Sequence, residues 1–118
     1  MTINPIRVAI NGYGNLGRGV EKAVLAAPDM ELVAIFTRRD PQQLDTVSGK
    51  AVSIKDMPDY KDKVDVCVNC GGSATELMEQ GPAVTAYFNT VDSFDTHAKI
   101  PEHYADMDKV AHDNGHVA

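Results

Sequence analysis

Gly12, Gly14 and Gly17 stand at G-x-G-x-x-G spacing inside Asn11-Gly12-Tyr13-Gly14-Asn15-Leu16-Gly17-Arg18, and the triplet Thr37-Arg38-Arg39 follows about 20 residues further on. Residues of these types at this spacing handle phosphate. Gly12 supplies the backbone angles of a tight turn, Gly14 leaves room for a pyrophosphate against the main chain, and Gly17 lets the following helix lie close to the preceding strand. A helix beginning there turns unpaired N–H groups and the positive end of its dipole toward the anion. A glycine-rich turn also arises for purely steric reasons, so its surroundings decide. They match a dinucleotide turn: Val8, Ala9 and Ile10 read as a strand, and Leu16, Val20, Ala23, Val24 and Ala27 recur on one face of the next helix.

The triplet discriminates between two dinucleotides. A fold that takes the unphosphorylated cofactor places an Asp or Glu near this position, where it accepts hydrogen bonds from the ribose. Here a hydroxyl is followed by two guanidinium groups, which hold a 2′-phosphate by charge-assisted, bidentate bonds and so point to NADP. Asp40 lies one residue too late for the acidic role. Two arginines at a strand end are otherwise ordinary solvated charge, and it is their place after the glycine turn that gives them a ligand.

Further along, Cys70-Gly71-Gly72-Ser73 forms a second glycine turn after the apolar run Val64 to Asn69, and Ser73-Ala74-Thr75-Glu76 has capping-box spacing for a helix. Ligands of open α/β sheets lie beyond the carboxyl ends of the strands, so residues 70 to 73 are expected to line the same cleft. Cys67 and Cys70 are formally C-x-x-C, but three residues of extended chain send them to opposite faces, which suits neither a disulfide nor a shared metal. Asp92-Ser93-Phe94-Asp95 ends a later strand; its carboxylates serve either a cationic substrate group or ribose, or a turn and a helix cap. His97, His103, His112 and His116 show no ligand spacing and read as surface residues; no metal site is expected.

These groups need a scaffold, and the chain supplies the pattern of one. A helix is predicted from about Asn15 to Ala27, a strand over Glu31–Phe36, a helical turn at Pro41 and a short strand over Ala51–Ile54. Asp56 to Lys63 reads as a solvated connection, Val64–Asn69 as a strand, and Ala83 to Phe88 as the end of a helical crossover after Gly81-Pro82. A strand at Asn89–Val91 and a helix from Pro101 follow, with Tyr104, Met107, Val110 and Ala111 on its apolar face and Gly115 as its cap. Strand, helix and strand within about 30 residues make a βαβ unit. The fold class is therefore α/β, a Rossmann-like open parallel sheet with helices on both faces. At 118 residues, 43% of them hydrophobic, the chain suits one domain over residues 1–118, and its net charge of −6 argues against nonspecific nucleic-acid binding. No apolar run approaches the roughly 18 residues of a membrane span, and no secretory signal opens the sequence, so a cytoplasmic setting is the default. The closing His116-Val117-Ala118 reads as the opening of another strand, as in the nucleotide-binding part of a longer protein.

With these residues in view, the chain resembles the amino-terminal part of meso-diaminopimelate dehydrogenase. The likeness is carried by Arg7 to Ile10 with Gly12 to Arg18, by Phe36-Thr37-Arg38-Arg39, by Gly72-Ser73-Ala74-Thr75, and by Thr90 to Asp95 with His97 and Ile100-Pro101. It implies an NADP-dependent enzyme that reversibly deaminates the D-centre of meso-diaminopimelate to a keto acid and ammonia, and that works as a homodimer. It further implies pyrophosphate contacts from Gly12, Tyr13, Gly14, Asn15, Leu16 and Gly17, and 2′-phosphate contacts from Thr37, Arg38 and Arg39. Cys70, Gly71, Gly72, Ser73, Ser93, Phe94 and Asp95 would border the nicotinamide, and Asp95 and Asp92 would meet substrate. Asn11, Gly71 and Lys99 depart from the family pattern. The opening also resembles glyceraldehyde-3-phosphate dehydrogenases, which carry an acidic residue near position 37, and a nucleotide-binding or assembly module without chemistry is the third reading.

Overall fold

The computed structural model describes residues 4–71, 76–92 and 99–118, and the backbone alone for 76–79. Five parallel strands, β1 (Ile6–Asn11), β2 (Met30–Thr37), β3 (Ala51–Ser53), β4 (Val66–Asn69) and β5 (Asn89–Asp92), form one sheet in the order β3-β2-β1-β4-β5. Helices α1 (Asn15–Ala26), α2 (Glu76–Thr85) and α3 (Ile100–Asn114) connect or flank them. This is the expected Rossmann-like sheet, and the direction of its strands puts every carboxyl end on one edge.

Alternation along β1 sorts the core into two layers. Val8 and Ile10 pack with Val24 of α1, whereas Ala9 packs with Val84 of α2, Phe36 and Phe88. The helices therefore cover opposite faces. A bulge between β1 and β2 pairs Val8 with Leu32 and Ala9 with Ala34, so Val33 is the extra residue; Leu32 and Ile35, three apart, consequently share the α1 face. The two cysteines divide the same way, Cys67 joining the α2 layer and Cys70 the α1 layer, both as free thiols.

Several expectations need correction. On α1 the buried residues are Gly17, Glu21 and Val24, while Leu16 and Ala23 are exposed, because the helix rests on the strand through Gly17 and rolls those two side chains outward. The charged residues between Asp56 and Lys63 are exposed as expected, but the first two, Asp56 and Asp59, belong to a 3₁₀ helix, Ile54–Tyr60, which seals the α2 layer with Met57 while Ile54 and Tyr60 pack beside it. Three residues per turn put 54, 57 and 60 on one face. Gly81-Pro82 lies inside α2, which ends at Thr85, short of the expected Phe88. Gly81 sits where a Cβ would be 3.0 Å from both His103 Cε1 and Met107 Sδ of α3, so it sets the approach of the two helices.

On α3 the buried face is His103, Met107 and Ala111, and Tyr104 is 72% exposed. His103 is thus no surface histidine: its Nε2 lies 2.7 Å from Asp92 Oδ2. Gly115 closes α3 in the left-handed conformation (φ 70°), with the following N–H, of His116, bonded to Ala111 O at 2.8 Å. Beyond it, the Thr90 N–H on β5 donates to Val117 O at 2.9 Å. Among the described residues no helix is long and apolar enough to cross a membrane.

Candidate functional site

The glycine turn begins where β1 runs out of partners. The Gly12 N–H still reaches Phe36 O (3.0 Å), and then φ of +95° swings the chain off the sheet. At Gly17 a Cβ would press on the Gly12 carbonyl oxygen and come within 3.7 Å of Cys70 Cβ, so the helix and both strand ends meet at a distance only glycine permits. At Gly14, the cap of α1, a Cβ would touch nothing within 4 Å. Space is therefore closed under the turn and open above it, as an anion over a helix N-terminus requires.

A cleft of about 370 Å³ opens there, between the ends of β1, β2 and β4. Its walls bring together Gly12, Tyr13 and Gly14 from the first turn, Thr37, Arg38 and Arg39 from the end of β2, and Cys70 and Gly71 from the second turn. Thr37 is buried and its Oγ1 accepts the Arg39 N–H (3.0 Å), which curls the backbone back over the strand end, and Arg39 Nη2 donates to Tyr13 O at 3.2 Å. Asp40 caps the 3₁₀ turn Pro41–Gln43 by accepting the Gln42 N–H. Burial pushes the Cys70 thiol up to about 11, so at neutral pH it stays protonated.

Not all the expected residues line this cleft. Asn15 and Leu16 are exposed in the first turn of α1, and Gly17 packs beneath the turn. Asp92 ends β5 beside His103, in a separate hollow shared with Met107 and Tyr104. Gly72, Ser73, Ser93, Phe94 and Asp95, the capping box at Ser73 and His97 lie outside the described residues. Among the described residues no His, Cys, Asp and Glu cluster is arranged to hold a metal.

Three polar groups were missed by sequence reasoning. Asn11 and Asn69 face each other across paired strands, with Asn11 Nδ2 donating to Asn69 Oδ1 (3.3 Å) and to Gln80 Oε1 (3.1 Å). Among the described residues Asn69 Nδ2 is buried without a hydrogen-bond partner, a polar atom left at the base of the cleft's second turn. Glu21, on α1, is fully buried and accepts from Tyr13 Oη, from Val47 N–H, and from the N–H and hydroxyl of Ser48. A charged side chain among helical polar positions reads as solvated, and nothing local marks it otherwise.

The electrostatics of Glu21 give a pH prediction. Burial alone would raise its pKa, but the bonds from Ser48 and Tyr13, with the two backbone N–H groups, outweigh burial and hold it below its ordinary 4.5. Asp65, bonded by the Arg7 side chain and N–H, is likewise held below 3.8. A depressed folded pKa means that the unfolded chain binds more protons, so this stability is complete above the ordinary values and is lost as pH falls through the folded ones. Urea midpoints followed by circular dichroism should drop as pH is lowered below about 4.5, and Glu21→Gln should flatten that slope.

No protein-family model matches the chain. It is 54% identical over 117 residues to the meso-diaminopimelate D-dehydrogenase of Ureibacillus thermosphaericus, covering 98% of this chain and 36% of that protein. A structure of the C. glutamicum diaminopimelate dehydrogenase in complex with diaminopimelate superimposes with TM-score 0.88 at 46% identity, covering 97% of this chain and 34% of that one. An engineered D-amino acid dehydrogenase bound to NADP+ does so with TM-score 0.89 at 46% identity, over 95% of this chain and 34% of that one. Similarity to the glyceraldehyde-3-phosphate dehydrogenase of Metallosphaera sedula, at 57% identity, extends over 30 residues. The chain spans about a third of the length of the curated dehydrogenases it matches. Over nearly all of its own length, it corresponds in sequence and fold to the amino-terminal part of the meso-diaminopimelate D-dehydrogenases.

Proposed function

We propose that residues 1–118 form the NADP-binding domain of an enzyme that oxidatively deaminates the D-centre of meso-diaminopimelate with NADP+ and water, giving L-2-amino-6-oxopimelate, ammonia, NADPH and a proton. One observation carries the cofactor assignment: Thr37, Arg38 and Arg39 close the same cleft that the glycine turn opens. The residues fit the cofactor. Open space at Gly14 and the unpaired N–H groups at the start of α1 receive a pyrophosphate, with Asn15 and Leu16 presenting main chain there. Thr37 and the two guanidinium groups bind the 2′-phosphate.

When bound, NADP+ supplies the hydride acceptor for an amine-bearing carbon. The chain's own part is to hold and orient. Cys70 and Gly71, with Gly72, Ser73, Ser93 and Phe94, border the nicotinamide half, Cys70 as an uncharged apolar wall. Asp95 orients the substrate's ammonium group, whereas Asp92, in the separate hollow at the end of β5, is engaged by His103 Nε2 at 2.7 Å. The similar proteins are meso-diaminopimelate dehydrogenases, one of them seen in complex with diaminopimelate, which supports this substrate. The cytoplasmic setting and the homodimer implied by the resemblance belong to the same proposal.

Calorimetric titration of this chain should show NADPH binding at least about tenfold tighter than NADH, as one or more charge-assisted bonds to the extra phosphate require. Equal affinities would overturn the assignment. A protein of the relatives' length carrying this sequence should reduce NADP+ with meso-diaminopimelate; binding without turnover would favour the non-catalytic module.

A further inference from the structure

Tyr13 is fastened three ways. Its carbonyl accepts from Arg39 Nη2 (3.2 Å), the Arg18 guanidinium lies 5.2 Å from its ring centre, and its buried hydroxyl donates to Glu21 Oε1 at 2.5 Å. Glu21 in turn accepts Ser48 Oγ at 2.6 Å, Ser48 N at 2.9 Å and Val47 N at 3.3 Å. Residues 38 to 50 leave the sheet at β2 and return to it at β3, where the Ile35 N–H reaches Lys50 O. This excursion is tied to Tyr13 at both ends: directly at Arg39, and through Glu21 at residues 47 and 48.

Burying a carboxylate costs several kcal/mol unless hydrogen bonds compensate. All four donors to Glu21 are neutral, and they come from just two segments, the glycine turn and the far end of the excursion. A leucine here would fill the α1 layer without that cost. What the carboxylate adds is a fixed distance between the turn that takes pyrophosphate and the loop that carries the guanidinium pair.

We infer that Glu21 is a positioning residue for cofactor selectivity: through Tyr13 and Ser48 it holds the 38–50 excursion so that Arg39 and Thr37 are preset for the 2′-phosphate. This rests on the NADP reading above and adds a residue that touches no part of the cofactor. Glu21→Gln keeps the shape but turns one of the two oxygens into a donor, which then faces either the Tyr13 hydroxyl and Val47 N–H or the N–H and hydroxyl of Ser48. Tyr13→Phe removes the hydroxyl and leaves the carbonyl for Arg39. Ser48→Ala removes one donor far from the cleft.

Each variant of this chain is titrated with NADPH and with NADH, and amide hydrogen exchange is followed at Val47 and Ser48 without cofactor. In Glu21→Gln, NADPH affinity should fall about five- to tenfold, the loss expected from one hydrogen bond, with NADH affinity changed less than about twofold; in Tyr13→Phe, whose residue borders the cleft, it is the NADPH-to-NADH ratio that should fall about five- to tenfold. Exchange at both amides should quicken about tenfold or more as the loop opens locally, and Ser48→Ala should show the same pattern with a smaller change. If Glu21→Gln does not fold, the other two carry the test. Faster exchange with an unchanged NADPH-to-NADH ratio makes Glu21 a structural strut and overturns the inference, as does a changed ratio with unchanged exchange. A wild-type chain without NADPH preference overturns the underlying cofactor reading, a failure visible before any variant is made.

Discussion

Gly17→Ala should unfold or severely weaken the chain, whereas Gly14→Ala, three residues earlier in the same turn, should leave it folded and unable to hold its cofactor. A methyl group on Gly17 presses into the Gly12 carbonyl oxygen and lies 3.2 Å from its carbon, and both partners are backbone held by the sheet on one side and by α1 on the other. Neither can give. Overpacking of this kind costs about 3 kcal/mol at the upper end of its usual range, against a total stability of roughly 5–15 kcal/mol. The thermal midpoint should fall by more than about 10 °C. Gly14 differs because its φ of −103° suits any residue and its Cβ would meet nothing. Alanine there costs less than about 1 kcal/mol as a poorer cap, but its methyl group takes up the open space proposed for the pyrophosphate. Thermal melts with and without NADPH separate the two: the first variant melts early in both, and the second melts normally and gains nothing from NADPH. A Gly17→Ala chain with a normal midpoint would mean that the turn is looser than its geometry.

What could be read before folding, and what could not, follows from how far apart the determining residues lie. The strand, turn and first helix were legible because Val8 to Gly17 contains every residue that the unit needs. The placement of Arg38 and Arg39 was legible because a βαβ unit has a nearly fixed length. The bulge at Val33 was hidden because a strand apolar on both faces shows no alternation to break. His103 was misread and Glu21 passed over for one reason: their partners, Asp92 and Ser48, lie on other elements, and a lone charged or titratable residue on a helix is solvated unless something distant satisfies it. The Asn11–Asn69 contact spans 58 residues and needs the β1–β4 pairing to be known first. Within the 3₁₀ helix the apolar residues recur every third position, a spacing that charged neighbours concealed.

Replacing Arg38 and Arg39 together with serine should lower NADPH affinity about 100-fold, or about 2.7 kcal/mol, while NADH affinity changes less than about threefold. The expectation comes from the number of bonds and their exposure. A charged hydrogen bond contributes about 1.5–3 kcal/mol, and two such groups on a dianionic phosphate would exceed the figure given; both arginines are exposed at the cleft mouth, however, and water screens part of the gain. Arg39 also holds the Tyr13 carbonyl, so the double variant loosens the turn a little, which accounts for the small allowance on NADH. Replacing Thr37 alone should cost less, since its hydroxyl, whose oxygen accepts the Arg39 N–H, offers a phosphate one neutral donor. Salt gives an independent check. The part of the preference that comes from guanidinium charge should shrink as ionic strength rises and the Debye length falls from about 10 Å at 0.1 M to about 3 Å at 1 M, and the double variant should show no such dependence. A loss that is equal for the two cofactors, or a preference that salt leaves untouched, would place the discrimination somewhere other than the end of β2.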